Sequence, residues 1–516
     1  MINHRLTNLQ TGWKQAFSAI FALQRFPGLF DLRGFLPLAS MNQHQIFMGS
    51  KVLLISNNRC TTPDPVFPLG LAYLNSALRR AGHETVWADR LVGDEPIEKI
   101  LDRHPPDVVG ISIRNIDDVI IHRKETFFDN LPSLGEMVRR KCKCPVVIGG
   151  SGFSIFPREL LALAGADYGI CGEGESGFVA LLAALNNGRN FSAIPGLVYR
   201  REGNIILNPP AGLPSDGCLD ERDRPETAVK HYLRTSGMMN LQTQRGCACR
   251  CCYCTYPVIE GKQYRRRPAA MVAEEFAQLQ KMGARYVFIV DSVFNSSARH
   301  VTEICEAMLR RDIKMPWGCF LRPQGLTSDL MKLMKRAGLA HIEFGSDSFC
   351  DEVLTSYQKG FTFDDILHSS TLAAQANIDF CHFLISGGPG ETSETLQRSF
   401  DSSLQIKNTV ILAMVGMRIY PGTRLFEQAL AEGRIGPQTN LLIPSYYLAP
   451  GLTEEGVSTQ LKTFAGQSPS WIPGEPVPAY ASLVERLRKN GAVGPLWSYF
   501  SALQRLWPKG INPREK

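Results

Sequence analysis

The sequence predicts an α/β protein made of two tandem strand–helix blocks and a small, mainly helical C-terminal cap. Three observations carry that prediction. Between residues 51 and 171 short apolar runs alternate with stretches of helical periodicity, and from Met239 to about Pro444 a second alternation supplies six strand–helix units. Between the two blocks, residues 206–238 are polar and turn-rich, with Pro209, Pro210, Pro214 and the charged run 220–224, the composition of a linker. The expected division is an N-terminal extension at 1–49, a Rossmann-like (flavodoxin-like) domain at 50–205, the linker at 206–238, a partial (β/α)6 barrel at 239–445 and the cap at 446–516.

At 516 residues the chain is too long for one core. Its 56 Lys and Arg against 49 Asp and Glu leave a net charge of +7 with no long basic tract. That pattern argues against nucleic acid as a partner and is met by anionic small-molecule cofactors. Fourteen cysteines stand behind no secretory leader, so a reducing cytoplasm is expected rather than a disulfide framework. No apolar run reaches the roughly 18 to 20 residues needed to span a bilayer, and no integral membrane segment is expected.

In the extension, Trp13, Phe17, Ile20 and Phe21 recur at helical spacing, but Gln24 interrupts the stripe on the next turn. A brief packing helix is expected there, and Met41 and Met48 mark where a shorter native chain would start. Residues 51–56 (Lys-Val-Leu-Leu-Ile-Ser) are the first predicted strand. After a Pro-rich loop, residues 69–81 carry a helical apolar face that stops at Gly82. Residues 85–88, 107–113, 145–150 and 167–171 supply four more strands. The pattern predicts an open, mostly parallel sheet with helices on both faces, whose ligands bind beyond the strand carboxyl ends.

The second block opens on a strand that leads into Arg245-Gly246-Cys247-Ala248-Cys249-Arg250-Cys251-Cys252-Tyr253-Cys254. Five cysteines fall within these eight residues from Cys247, and Cys247, Cys251 and Cys254 stand at Cys-x3-Cys-x2-Cys. Structural zinc usually takes four Cys or His ligands, and a conventional [4Fe-4S] cluster takes four thiolates. Three thiolates leave one metal position free for substrate or cofactor. No second Cys-x2-Cys pair lies nearby to complete a zinc site. Other triplets can be drawn through the same loop; the pattern sets Cys249 and Cys252 aside as bystanders.

Further strands are predicted at 286–290, 317–320, 341–345, 380–385 and 411–419. In barrels the strand carboxyl ends carry the chemistry. Those ends read Asp291-Ser292-Val293-Phe294-Asn295, Leu321-Arg322-Pro323, Phe344-Gly345-Ser346-Asp347-Ser348, Ser386-Gly387-Gly388-Pro389-Gly390-Glu391-Thr392 and Arg418-Ile419-Tyr420-Pro421-Gly422-Thr423. Beyond Pro444, Tyr446-Tyr447-Leu448 is expected over the barrel mouth. Helical stretches at 480–489 and 496–507, the second with Leu496, Phe500, Leu503 and Trp507 on one face, are expected to contribute to the substrate pocket. The alternative for that helix is a partner-binding or membrane-surface role.

The cysteine spacing, the aromatic residue before its third cysteine and the Arg-Gly lead-in resemble the signature of the radical S-adenosylmethionine (SAM) superfamily. The strand-end segments follow in the order of that family, although Ser292 replaces the second acid of its Asp-Asp-x-Phe segment. Residues before the barrel resemble the cobalamin (B12)-binding domain of one large class of these enzymes. The echoes are Pro68-Leu69-Gly70-Leu71-Ala72-Tyr73-Leu74, Gly110-Ile111-Ser112, Gly149-Gly150-Ser151-Gly152 and Gly172-Glu173-Gly174-Glu175. Glycines at strand ends let a backbone approach a flat macrocycle closely. The loop Ser56-Asn57-Asn58-Arg59-Cys60-Thr61-Thr62 holds no histidine, which the resemblance reads as a cobalt without a lower His ligand, the alternative being a domain that has lost cobalamin.

The resemblance implies a [4Fe-4S] cluster on Cys247, Cys251 and Cys254, whose fourth iron chelates SAM. It implies SAM contacts from Tyr253, Asp291, Ser346, Asp347, Gly387, Gly388, Glu391, Arg418 and Tyr420. Cobalamin contacts are implied for Ser112, Arg114, Gly149, Gly150, Ser151, Gly152, Glu173 and Gly174. The implied activity is methylation of an unactivated carbon of a small molecule: one SAM methylates cobalamin, and a second is cleaved to a 5′-deoxyadenosyl radical that removes a substrate hydrogen. An external electron donor such as flavodoxin or ferredoxin is the implied partner. Radical SAM chemistry other than methylation (ring rearrangement, cyclisation or aminocarboxypropyl transfer) is the alternative, and a non-catalytic iron-sulfur or corrinoid carrier is the alternative of another class.

Overall fold

In the computed structural model, which describes residues 49–61, 64–93, 95–187, 190–209, 223–474 and 485–499, the first block is a seven-stranded sheet. Its strands are β1 (Lys51–Ser56), β2 (Glu84–Asp89), β3 (Val108–Ser112), β4 (Val146–Gly149), β5 (Tyr168–Ile170), β6 (Leu197–Arg201) and β7 (Asn204–Leu207). The order is β2-β1-β3-β4-β5-β6-β7, with β1 to β5 parallel and an antiparallel hairpin at the edge. Because helices cover both faces, the inner strands are apolar on both sides. Leu53 and Ile55 of β1 pack to one side with Leu134 and Phe153, Val52 and Leu54 to the other with Leu71 and Phe178. The strand order reverses between β1 and β3, the switch point at which such sheets open a ligand crevice.

The second block contains β8 (Met238–Leu241), β9 (Gln244–Arg245), β10 (Arg265–Arg266), β11 (Tyr286–Ile289), β12 (Trp317–Leu321), β13 (Leu339–Asp347), β14 (Asp379–Ser386), β15 (Thr409–Val415), β16 (Met417–Arg418), β17 (Tyr446–Tyr447) and β18 (Trp471–Pro473). Its main sheet runs β8-β11-β12-β13-β14-β15-β18, every pair parallel. The six predicted strands are present. The seventh, β18, was not predicted, because three residues in a Pro-rich stretch carry no period-two signal. Outward residues such as Val287, Ile289, Ile342 and Phe344 pack against Phe276 and Leu279 of helix Ala269–Lys281 and Ile304 and Met308 of helix Ala298–Arg310.

Two expectations are corrected. The predicted linker contains a helix, Glu226–Ser236, whose Ala228, Val229 and Tyr232 enter the barrel core. Tyr232 also donates to Asp89 at 2.9 Å. Three apolar residues among polar neighbours make a stripe too thin to outweigh the surrounding turn residues. The C-terminal segment is the second case. Residues 485–499 lie at the foot of the barrel, where Arg285, just before β11, donates to the Gly491 carbonyl at 3.2 Å and Trp497 reaches Glu343 inside. These residues therefore close the barrel from below instead of capping its mouth, and through Trp497 they still line its interior; an indole N–H needs a buried acceptor, and the barrel interior supplied it. The predicted helix in the extension, Pro210 and Pro214, and Phe500, Leu503 and Trp507 lie outside the described residues. Among the described residues no helix is long and apolar enough to cross a membrane.

Polar contacts join the blocks. Arg418 and Asp117 form a buried ion pair at 2.9 Å, Arg245 pairs with Glu173 and Glu175 at 3.2 and 2.7 Å, and Asn240 donates to the Phe67 carbonyl at 2.9 Å.

Candidate active site at the cysteine loop

β8 delivers the chain to Thr243, and the short β9/β10 hairpin carries the cysteine loop. Gly246 turns there with φ +86°, and a Cβ would lie 2.0 Å from the Gln263 carbonyl oxygen, so only glycine fits. The loop is tied down by its backbone. Cys247 N–H donates to Gly261 at 3.0 Å, Cys252 N–H to Tyr357 at 3.0 Å, and Leu425 N–H to the Cys252 carbonyl at 2.9 Å.

The five thiols separate. Cys252 is buried in an apolar cluster with Val353, Tyr357, Met417 and Leu425, and burial pushes its thiol up to about 12. Cys254 is pushed up to about 12, first by burial, and Cys251 is raised for the same reason. Cys249 differs. Its sulfur lies against Cys247, Tyr264 Oη at 3.5 Å and the Arg322 guanidinium, and the hydrogen bond from Cys247 above all holds it down at about 5. Cys247 is correspondingly raised. The structure therefore takes Cys252 away from the other thiols and puts Cys249 beside Cys247.

Among the described residues no three His, Cys, Asp or Glu side chains close into a metal-holding group, and among them every cysteine is free. The fit to a three-thiolate cluster rests on donor chemistry: Cys247, Cys251 and Cys254 are unpaired thiols on one short loop. Two buried or half-buried cations, Lys359 and Arg322, lie near enough to favour the Cys251 thiolate.

Around the loop, the strand-end residues bond to one another and to the nearby chain. Asp291 accepts from Thr243 N–H at 2.6 Å, from Gln244 N–H at 3.3 Å and from the Thr243 hydroxyl; burial raises its acid to about 7 against those bonds. Ser292 donates to the Gly246 carbonyl at 3.0 Å, bracing the turn where the family pattern has an acid. Asn295 ties the end of β11 to the carbonyls of Arg322 and Gln324, both at 2.9 Å. Ser346 bonds His382 Nδ1 at 2.7 Å. Glu391 closes the Gly-Gly-Pro-Gly turn onto Gly387 N–H and Tyr357 Oη, the latter at 3.1 Å, and burial raises it to about 7. A Cβ at Gly388 would lie 2.3 Å from Tyr357 Oη. Arg418 lies over the Tyr420 ring at 4.8 Å and makes four hydrogen bonds, to Asp117 and to the carbonyls of Ile419, Leu441 and Ser445.

Tyr253 donates to Asp347, which also accepts from Lys359 Nζ at 2.6 Å. Asp347 has φ +65° at a register shift between β13 and β14, so the backbone is turned to hold this carboxylate in place. Lys359 is 6% exposed. The sequence analysis missed it, since a lone lysine between Gln358 and Gly360 reads as a solvated turn.

At the carboxyl ends of β1 and β3 the pattern reverses. The Arg114 guanidinium is half-buried and makes no hydrogen bond or ion pair with a described residue; burial lowers its pKa, with Tyr256, Cys60 and Tyr232 near enough to offset part of that. Asn58 Nδ2 is buried without a partner. These orphaned donors fit a polar ligand at the switch point. Ser112 and Gly149 end their paired strands, and Ser151 donates to the Arg114 carbonyl at 2.8 Å. A Cβ at Gly150 would lie 2.4 Å from the Ile113 carbonyl oxygen and one at Gly152 3.2 Å from that of Arg114, so these glycines serve the packing of the chain on itself. Glu173 is engaged by Arg245 and Arg265 in the domain interface, while Gly174 begins helix Gly174–Asn187.

The comparisons with known proteins bear on both sites. The B12 binding domain family matches residues 60–182, and the radical SAM superfamily matches residues 241–402. The tryptophan 2-C-methyltransferase of Streptomyces laurentii is 27% identical over 469 residues, covering 75% of this chain and 76% of its own. The hopanoid C-3 methylase of Methylococcus capsulatus is 28% identical over 325 residues, 58% of this chain and 59% of its own. The structure of the radical SAM methyltransferase TsrM from Kitasatospora setae, with cobalamin and a [4Fe-4S] cluster bound, superposes with a TM-score of 0.78 at 24% identity, covering 89% of this chain and 98% of that one. At that identity the superposition establishes the fold. The chain thus carries a B12-binding domain followed by a radical SAM domain, and it is an enzyme.

Proposed function

We propose that this B12-domain radical SAM enzyme is a cobalamin-dependent methyltransferase acting on an unactivated carbon of a small metabolite or natural-product intermediate. One observation carries the reading. Arg114, without a partner among the described residues at the switch point of the first sheet, is a near neighbour of Tyr256, two residues after Cys254. Helix Ser151–Ile155 of the first block packs on helix Tyr256–Ile259 beside the cysteine loop. A corrinoid site and a cluster site thus share one boundary, the arrangement a methyl transfer between them requires.

When bound, the cluster and SAM supply one-electron cleavage and the corrinoid supplies a transferable methyl group. The chain's own residues hold and shield. Cys247, Cys251 and Cys254 present the thiolates. The Tyr253–Asp347–Lys359 contact pins the loop to the end of β13, and Lys359 sets a buried positive charge beside Cys251 that favours an anionic ligand. Arg114 and Asn58 offer donors to the polar rim of a corrinoid. Asp291 and Glu391 act as braces that fix the strand ends.

The test is anaerobic reconstitution with iron, sulfide, cobalamin, SAM and a reductant such as reduced flavodoxin, reading 5′-deoxyadenosine and protein-bound corrinoid. Both are expected. Cleavage of SAM with no retained corrinoid removes the methyltransferase and leaves radical chemistry; methylthioadenosine as the product identifies aminocarboxypropyl transfer instead.

A further inference from the structure

The barrel interior is lined differently from its outer layer. Phe288 and Phe320 meet edge to face at 5.0 Å, and Phe383 and Leu412 pack around a separate inner cluster floored by Trp497. One acid lies on this apolar wall. Glu343, on β13, is 8% exposed, and its Oε1 accepts the Trp497 indole N–H at 2.9 Å. Oε2 accepts no hydrogen bond from a described residue. A carboxylate can accept about four hydrogen bonds, so one indole leaves Oε2 open to whatever occupies the barrel interior. Burial raises the acid to about 7.

Directly above it there is room. A Cβ built on Gly345 would meet nothing within 4 Å among the described residues, which leave the space between Glu343 and Asp347 open on this face. Asp347, which holds Tyr253 of the cysteine loop, is four residues further along the strand, about 13 Å. A small ring compound resting on Glu343 therefore reaches toward the cysteine loop.

We propose that Glu343 anchors the substrate: its second carboxyl oxygen accepts a hydrogen bond from an N–H or ammonium group on an apolar ring compound, whose body lies among Phe288, Phe320, Phe383 and Leu412. This inference rests on the enzyme reading above and names the substrate class of the same site. Its rival is a purely structural carboxyl that serves only to hold Trp497.

The experiment uses the reconstituted, cobalamin-loaded full-length protein without turnover, with ligand-observed NMR titration of three probes. Indole and benzothiophene are near-isosteres that differ in the N–H; 2-naphthylmethylamine carries an ammonium. Indole is expected to bind roughly tenfold or more tightly than benzothiophene, the size of one hydrogen bond to a carboxyl group. Glu343→Met should bring that ratio to about one. Gly345→Phe should abolish binding of all three with iron and corrinoid content retained, and it carries the test if Glu343→Met fails to fold. Tighter binding of 2-naphthylmethylamine than of indole identifies the anchored group as ammonium; the opposite order identifies a ring N–H. Equal affinity of indole and benzothiophene in the wild type, no binding of any probe, or a preference that survives Glu343→Met overturns the proposal. Loss of 5′-deoxyadenosine formation or of bound corrinoid bears on the enzyme reading instead, and is measured separately.

Discussion

The two parallel sheets place their candidate sites at the same kind of position, the carboxyl ends of strands, yet they finish those ends in opposite ways. At the end of β1 and β3 donors are left over: Arg114 has no partner among the described residues and Asn58 Nδ2 is orphaned. At the ends of the barrel strands the acids are engaged with the chain. Asp291 holds Thr243, and Glu391 holds its own turn and Tyr357. The difference teaches that folding leaves polar strand ends in two conditions, donors held open at the first sheet and acids engaged with the chain at the second. In the barrel, Asp291 and Asp347 hold the two ends of the thiol-bearing loop in register.

The sharpest way to break this contrast is at the thiols. Cys251→Ala should reduce 5′-deoxyadenosine formation to background and lower bound iron, whereas Cys252→Ala, changing a thiol packed among Val353, Tyr357 and Met417, should leave iron content intact. Normal cleavage in Cys251→Ala would refute the ligand assignment. The next effect tests whether Arg418 braces or binds. Its ion pair with Asp117 has side chains 4% and 0% exposed, and removing one partner of such a pair costs about 3–5 kcal/mol. Arg418→Met should therefore lower the thermal midpoint of the cofactor-free protein by several degrees; an unchanged midpoint would return Arg418 to the ligand-binding set.

Glu391 gives a pH signature. Burial raises its acid from 4.5 to about 7. A carboxyl whose folded pKa lies above its unfolded value contributes fully below about pH 4.5 and loses that contribution as pH rises through about 7. Relative to Glu391→Gln, the wild type should lose up to about 3 kcal/mol between pH 4.5 and 7.5, seen as a narrowing gap or a crossing of the two thermal midpoints. Parallel pH profiles would show that Glu391 is solvated or paired otherwise. The smallest effect is at the switch point: Arg114→Met should weaken corrinoid retention by roughly tenfold, about 1.4 kcal/mol, with SAM cleavage retained, measured by equilibrium dialysis of cobalamin.

Much of this architecture was legible because it is written in short-range pattern. The alternation of apolar strands with helices announced both sheets, and the spacing of Cys247, Cys251 and Cys254 announced a metal loop. What failed were segments whose signal is thin or non-local. Ala228, Val229 and Tyr232 of a buried helix were hidden among turn residues, and β18 was too short to show a period. The close packing of Gly150 and Gly152 on the carbonyls of Ile113 and Arg114 was likewise not legible in the sequence.

By itself the sequence determined that two parallel α/β sheets follow one another and that a three-thiol loop begins the second, since strand period and ligand spacing are properties of neighbours in the chain. Only the tertiary structure decided which neighbours each polar strand-end residue meets. Whether Asp291, Glu391 or Arg418 faces a ligand or a neighbour depends on partners up to 301 residues away. The same is true of Lys359 reaching Asp347 beside Cys251, and of Trp497 meeting Glu343 at the foot of the barrel. A side chain's direction and its unmet hydrogen bonds are set by packing, and packing is settled by contacts the linear pattern does not record.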